Sequence, residues 1–470
     1  MMGFSRCVPR RPVVLVSVSL LFSFLVLRLL VTHDSSSWHR LGINRQSQQP
    51  GVKPYPQTNQ STLHILLPAT HSDVNLCKTL LTLTMAGYPS PHIVAWGGKD
   101  DDGALRGGGS HNAKITSALA FVNDAERRRE RGGFDDELVL MVDAYDVWFQ
   151  LPVDVLLARY RSILADDEVR VRHRMGNSYE HGKIGHKVIF GAGKRCSPNQ
   201  LHTLACYAVP ESPLPADTHG VSTDSVLGRT FMSNGRQRFL VSGYMLGSVG
   251  AVRTVLERAN RKLDECVGRT GVAFDNGSGD ADFCYRGSDQ SIFVEMFAEQ
   301  EARREYLRRK HRSLLDPIME VLIPNRPGSP PPKTHIMTEP ISDMLSPSFP
   351  HQPFDASSVQ DSEMAIVLDY FSLLGFQTSN AEFDGRFLRH DLPLGPQAGK
   401  TGLFDSTTWG SIPLFTDMCT GAIPVMLHHN SVDKTWREHA WPNAWWHGRA
   451  RALLEGRRGR GRGLGRGVRG

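Results

Sequence analysis

The chain has 470 residues, of which 40% are hydrophobic and 22% are charged. A chain of this length and composition can bury one large core or two ordinary ones, so wholesale disorder is excluded. The net charge of +6 equals the excess of seven Arg over one Glu in residues 451–470, which leaves the rest of the chain neutral overall. The charge therefore indicates no basic groove, and we expect no nucleic-acid partner.

An apolar segment near the N-terminus predicts a membrane anchor. Residues 13–32 contain about 19 largely apolar residues, enough to cross a bilayer, with Arg28 near one end. Three Arg precede this segment and almost no charge follows it closely, so residues 1–12 are predicted to be cytosolic and the later chain luminal. Residues 33–61, rich in Ser, Gln, Asn and Pro, are predicted to form a flexible stem. A cleaved signal peptide is the alternative interpretation.

Cysteines and glycosylation triplets agree with a luminal location. Asn-X-Ser triplets begin at Asn59 and Asn276, although such triplets also arise by chance. Cysteines beyond the anchor permit up to three disulfides, and their spacing leaves the pairing open. They are Cys77, Cys196, Cys206, Cys266, Cys284 and Cys419.

The apolar runs after the stem predict a doubly wound α/β domain with a mostly parallel sheet. Short strands alternate with helical stretches, which is the pattern of such a domain. In chain order, strands are predicted at 63–67, 92–96, 138–142, 187–191 and 239–246, and helices at 113–131, 251–266 and 290–310.

Composition divides the chain after the stem into four parts. Residues 62–310 are predicted to form the core, and residues 311–362 a Pro-rich loop or linker. Residues 363–446 are predicted to complete the core, and residues 447–470 form a tail rich in Arg and Gly.

Two carboxylates follow the predicted strand at 138–142. Asp143 and Asp146 lie where that strand ends, and ligands of open α/β sheets bind at this edge. A hard divalent cation prefers oxygen ligands, and two carboxylates with one further ligand would hold it beside a diphosphate. The alternative is that Asp143 caps a turn and Asp146 is merely solvated.

Several motifs together resemble a known family. The motifs are VDAYD at 142–146, three Gly at 107–109 followed by Lys114, RFLVSGYMLG at 238–247, SDQ at 288–290 and LHHN at 427–430. Their order and spacing, over about 62–310 and 363–446, resemble the glycosyltransferase domain of the procollagen lysyl hydroxylase/glucosyltransferase family. The resemblance implies a GT-A-type, Rossmann-like fold that binds a nucleotide sugar.

The resemblance also implies a metal and nucleotide site. It assigns Asp143 and Asp146 as ligands of Mn²⁺ (or Mg²⁺), and Tyr145 as the residue that stacks on the base of a UDP-sugar donor. A late H-x-N-x-x-x-K segment of the family supplies a third ligand, matched here by His428 with Asn430 and Lys434 in register. His429 is the alternative ligand if the register slips by one residue.

Other matched positions are expected around the sugars. Ser242 and Gly243 would lie on the floor of the sugar pocket, and Asp289 and Gln290 would be catalytic, with Asp289 orienting or deprotonating the acceptor hydroxyl. Trp96 resembles an aromatic residue of a loop over the nucleotide, and Lys114 or Lys434 would contact phosphate. Ser288 and Gly193 depart from the family, which commonly has acidic residues at both positions.

The resemblance and the predicted anchor lead to one expected function. The protein is expected to be a type II membrane protein of the Golgi or endoplasmic reticulum. It would transfer a sugar from a UDP-sugar to a hydroxyl of a protein or glycan acceptor, in a reaction that depends on a metal ion. The first alternative is an inactive membrane-anchored sugar-binding or scaffold protein that kept the fold. The second is a hydrolase with Asp143 and Asp146 as acid and base.

Overall fold

The computed structural model describes residues 62–97, 109–124, 128, 130, 132–182, 184–185, 187–199, 203–224, 232–270, 288–313, 315–323, 326–329, 363–390 and 409–450. Among these residues, no helix is both long enough and apolar enough to cross a membrane. The predicted anchor at 13–32 and its flanking segments lie outside the described residues, as do both glycosylation triplets.

Strands and helices alternate through most of the described chain. The strands are β1 (Leu63–Pro68), β2 (His92–Val94), β3 (Leu138–Val142), β4 (Val147–Phe149), β5 (Val188–Gly193), β6 (Phe239–Ser248), β7 (Ile366–Asp369), β8 (Gly375–Gln377), β9 (Gly385–Leu388), β10 (Leu414–Asp417) and β11 (Met426–His428). The α-helices are α1 (Val74–Met85), α2 (Gly109–Val122), α3 (Val153–Met175), α4 (Leu204–Tyr207), α5 (Val249–Thr270), α6 (Asp289–Lys310), α7 (Asp316–Leu322) and α8 (Thr435–Ala440).

The centre of the fold is a six-stranded sheet in the order β2-β1-β3-β6-β5-β7. Strands β2, β1 and β3 pair in parallel, and so do β5 and β7, whereas β6 runs antiparallel to both of its neighbours. The predicted α/β class is confirmed, and the sheet is mixed. An apolar run predicts a buried strand but carries no sign of its direction, so the sequence did not reveal the reversed β6.

Both faces of the sheet are covered. One face packs on α2, α5 and α6 through an apolar cluster that includes Ile115, Val252 and Phe293. The other face packs on α1, α3 and the segment 409–450 through a second cluster that includes Trp148 and Trp446. Coverage on both sides explains why the central strands are apolar along their whole length.

Two smaller groups of strands lie beyond the carboxyl end of β3. Strand β11 pairs antiparallel with β4 and in parallel with β8, and β9 pairs antiparallel with β10. The last segment is fixed to β4, because Trp445 Nε1 donates to Gln150 O at 3.0 Å and Trp446 Nε1 to Phe149 O at 2.9 Å. Between β3 and β4, the chain passes directly from the six-stranded sheet to the three-stranded sheet β4-β11-β8.

Some predicted boundaries were wrong for local reasons. Strand β2 ends at Val94 because Ala95 and Gly97 have φ values of 62° and 74°, which no strand contains. The predicted loop at 311–362 contains α7, a short helix with an acidic residue and Pro in its first turn. Cys196 and Cys206 form a disulfide, the one pairing that the described residues contain.

Candidate functional site

Asp143 and Asp146 lie on the turn between the two sheets. Asp143 follows β3, and its backbone N donates to Gly243 O on β6 at 2.9 Å. Asp146 precedes β4, and its backbone O accepts from His429 N at 2.7 Å. The backbone on both sides of the turn is thus fixed, which brings the two carboxylates toward one point.

His428 completes this cluster from a distant part of the chain. It ends β11, where it pairs with Val147 of β4, next to Asp146. Its Nε2 lies 3.5 Å from Asp143 Oδ2 and 3.5 Å from Asp146 Oδ1. One ligand atom from each of the three residues lies within 4.8 Å of the others.

Gln377 sets the orientation of the His428 ring. His428 Nδ1 donates to Gln377 Oε1 at 2.6 Å, and Asn430 Nδ2 donates to the same oxygen at 3.2 Å. Fixing Nδ1 in this way leaves Nε2 directed at the carboxylates, as in metal sites where an outer residue holds a ligating imidazole.

Gly243 leaves the room that the imidazole occupies. A Cβ atom added at this position would lie 2.0 Å from His428 Cε1 and 2.2 Å from Nδ1. No side chain can therefore share this space with the ring. Gly243 therefore lets the His428 ring pack directly against the β6 backbone.

The negative charges of Asp143 and Asp146 are balanced by a proton on His428 and by the ammonium group of Lys114. Burial lowers the pKa of His428, but Asp146 and Asp143 outweigh burial and raise the pKa to about 9. Burial raises the pKa of Asp143, yet Lys114 and His428 hold that pKa well below the ordinary value. Lys114 Nζ donates to Asp143 Oδ1 at 2.6 Å. Without a cation, the carboxylates are neutralised by an imidazolium and an ammonium.

The three side chains fit a divalent cation of the Mn²⁺ or Mg²⁺ type. Asp146 Oδ1 is buried and has no hydrogen-bond partner among the described residues, a costly state for a carboxylate oxygen. Two carboxylates with one imidazole suit Mn²⁺ better than Ca²⁺. A cation at this point would displace the imidazole proton, as metal binding to His commonly does.

A cavity of about 320 Å³ opens from this cluster toward the start of α6. Of the predicted site residues, those that line it are Lys114, Asp143, Asp146, Ser242, Asp289, Gln290, His428, Asn430 and Lys434. These residues come from five separate parts of the sequence. The structure thus brings together nine of the residues that the sequence singled out, with Gly243 directly behind His428.

Asp289 lines the same cavity and is linked to Asp143 by Lys114, which lies near both carboxylates. Its carboxylate is 2% exposed, and Oδ1 lies 3.7 Å from Lys114 Nζ and 3.9 Å from His111 Nδ1. Its Oδ2 is buried without a hydrogen-bond partner among the described residues. A buried oxygen of this kind can accept a hydrogen bond from a bound hydroxyl group.

Three other residues that line the cavity also contact the surrounding structure. Gln290 Nε2 donates to Ser197 O and so fixes the loop after β5. Asn430 Oδ1 accepts from Ser379 N at 2.9 Å, which ties the β8 and β11 ends together. Lys434 Nζ lies 3.7 Å from Asp146 Oδ2 on a half-exposed side chain at the rim.

Besides Gly243, two predicted residues do not line the cavity. Trp96 follows β2 and is 58% exposed. Tyr145 stacks on His71 at 5.2 Å between ring centroids, and its hydroxyl accepts from Thr70 N and His71 N. The Tyr145 ring is therefore already held against the loop after β1, and stacking of a base on either aromatic residue stays a prediction.

His429 is turned away from the carboxylates. Its ring lies 3.9 Å from that of Trp148, between centroids, and 5.4 Å from that of Trp436. Burial, followed by the neighbouring positive charges, lowers the pKa of His429 well below its ordinary value, so the ring is neutral. Of the two adjacent histidines, His428 is the one beside Asp143 and Asp146.

Several cavity residues had no signal in the sequence strong enough to single them out. His111 lies on the same face of α2 as Lys114, three residues away, and this spacing could have revealed it. Lys194 and Arg195 follow β5 directly, and only the fold brings that strand end to the cavity.

Comparison with known proteins adds no relative, since no protein-family model and no curated protein matches the sequence.

Proposed function

We propose that this chain is a metal-dependent glycosyltransferase with a GT-A-type nucleotide-sugar domain. It transfers a hexose from a nucleotide diphosphate sugar, a UDP-sugar in the simplest form, to a hydroxyl of a protein or glycan. The observation that carries the proposal is the convergence of Asp143, Asp146 and His428 on one point, with the buried Asp289 across the same cavity. This is the arrangement that a donor diphosphate and an acceptor hydroxyl need.

The donor end of the site is formed by the metal cluster and two lysines. Asp143, Asp146 and His428 would hold a divalent cation, which would supply positive charge to a leaving diphosphate. Lys434 is half-exposed at the rim and can reach a phosphate oxygen, while Lys114 lies between Asp143 and Asp289. Gln377 and Gly243 keep the imidazole in place throughout.

The acceptor end is assigned to Asp289. In the proposed reaction, the bond between the anomeric carbon and the diphosphate oxygen breaks, and its electron pair leaves with the diphosphate. A bond from the acceptor oxygen to that carbon forms, and the hydroxyl proton passes to Asp289 or to the departing diphosphate. The unpaired Oδ2 of Asp289 supports this role.

The geometry favours this proposal over the two alternatives. Asp143 and Asp146 both face the same imidazole nitrogen, so they form one cluster rather than a separated acid and base, as a hydrolase requires. An inactive scaffold has no need to bury carboxylate oxygens without partners, which costs folding free energy. Ser288 and Gly193, the departures that suggested inactivity, line or flank the cavity without blocking it.

The proposed location rests mainly on the sequence. Residues 13–32 would anchor the protein as a type II single-pass membrane protein of the Golgi or endoplasmic reticulum, with 62–446 in the lumen. The Cys196–Cys206 disulfide agrees with an oxidising compartment.

The proposal predicts donor hydrolysis in the absence of acceptor. The purified full-length chain is incubated with a panel of uridine and guanosine diphosphate sugars, with Mn²⁺ or with a chelator. We expect release of the nucleoside diphosphate from one donor, at least about 100-fold faster with Mn²⁺ than with chelator. Failure to bind or turn over any donor of the panel would favour the inactive scaffold.

A further inference from the structure

A second cluster of metal-ligating side chains lies outside the proposed catalytic residues. It consists of His219, from the loop after α4, Asp384, just before β9, and Cys419, from the turn after β10. One ligand atom of each lies within 4.8 Å of the other two, and Cys419 Sγ is 3.5 Å from His219 Nδ1. Three segments that are far apart in the sequence therefore meet through these side chains.

The turn that carries Cys419 is held in place before any ligand binds. Asp417 Oδ1 accepts from Cys419 N at 2.9 Å and from Thr420 N at 3.3 Å. Met418 N donates to Asp384 O at 2.7 Å, which ties this turn to the one before β9. Cys419 and Asp384 thus face each other on a fixed backbone, as the ligands of a structural metal do.

Two buried polar atoms at this place have no partner. His219 Nε2 and Asp417 Oδ2 are buried without a hydrogen-bond partner among the described residues. Buried polar atoms are nearly always satisfied in folded proteins, so these two atoms point to a missing partner in the part of the fold where the His219 Nδ1 atom faces the Cys419 thiol.

The local charges balance when a divalent cation is added. Among the described residues, ionised Asp384 and Asp417 carry two negative charges, and Lys194, which contacts Asp384, offsets one of them. A thiolate and a divalent cation together bring the cluster to neutrality.

We propose that His219, Asp384 and Cys419 form a structural site for Zn²⁺, separate from the catalytic cation. Thiolate and imidazole select zinc, whereas the two carboxylates of the catalytic cluster suit harder cations. The site would fasten the β9–β10 pair to the loop 216–219. Since Lys194 contacts Asp384 and also lines the catalytic cavity, the zinc site supports one wall of that cavity.

The metal content of the purified full-length chain tests this site. After dialysis against a weak chelator, elemental analysis is expected to find about one equivalent of zinc per chain. Cys419→Ser and His219→Ala should each lose that equivalent. Cys77→Ser, which removes an exposed free thiol, and Asp143→Asn, in the catalytic cluster, should both retain it.

Cobalt substitution gives a second measurement that needs no variant. Wild-type chain refilled with Co²⁺ should show a thiolate-to-cobalt charge-transfer band in the near ultraviolet, absent in Cys419→Ser. Retention of zinc by both Cys419→Ser and His219→Ala would overturn the proposal. A second result would also overturn it. In that result, the wild-type chain contains no zinc, shows no such band after cobalt loading, and has Cys419 in a disulfide, as detected by mass spectrometry of alkylated peptides. Neither result would affect the proposed transferase activity.

Discussion

Replacing Asp146 by Asn is expected to lower metal-dependent donor turnover by at least about 100-fold, because the cation loses one of its two anionic ligands. The substitution keeps the shape of the side chain, and its buried Oδ1 accepts no hydrogen bond from the described residues whose loss would unfold the chain. Initial rates at saturating Mn²⁺ and a thermal unfolding curve measure the two effects separately.

The control for this variant removes the same charge nearby. The control is Asp433→Asn. Asp433 lies in the segment between His428 and α8, and its exposed side chain does not line the cavity. We expect turnover within about twofold of wild type, since surface substitutions of this kind have small effects. An Asp146→Asn variant that keeps its fold and full turnover would remove the metal cluster from the mechanism.

Gly243→Ala is expected to disable the site through packing alone. The new Cβ would lie 2.0 Å from the His428 ring, which must turn away from Asp143 and Asp146. We predict a loss of at least about 10-fold in turnover with a weaker dependence on Mn²⁺, and a fall of about 1–3 kcal/mol in the free energy of unfolding. Steady-state rates across a Mn²⁺ titration and chemical denaturation measure these quantities.

A second substitution separates the clash from the loss of the ligand. In Gly243→Ala combined with His428→Ala, the space of the ring is free, so stability should recover relative to Gly243→Ala while turnover stays low. Gly250→Ala is the matched control, since its nearest contact would be an ordinary 3.4 Å to Asp135. Equal turnover in Gly243→Ala and Gly250→Ala would contradict the account of the His428 pocket.

The sequence predicted five of the six strands of the central sheet and several of the site residues. The apolar runs at β1, β3, β5 and β6 are buried on both faces, so composition alone was enough to predict them. Asp143 and Asp146 were visible because they end such a run, at the edge where ligands of α/β sheets bind.

What the sequence could not reveal depends on contacts between distant segments. Gln377 orients His428 only because β8 and β11 pair in parallel, and no local pattern predicts that pairing. Lys194 reaches both the cavity and Asp384 through the end of β5. The direction of β6 and the zinc-type cluster of His219, Asp384 and Cys419 likewise follow from topology rather than from periodicity.

Binding of Mn²⁺ in the presence of UDP tests the central claim most directly. Electron paramagnetic resonance measures free Mn²⁺, whose signal should fall as wild-type full-length chain is added with UDP. The same addition of His428→Ala or Asp143→Asn, each with a wild-type unfolding midpoint, should leave the signal almost unchanged. Equal Mn²⁺ binding by wild type and both variants, or none by wild type, would contradict a cation held by Asp143, Asp146 and His428 against a nucleotide diphosphate.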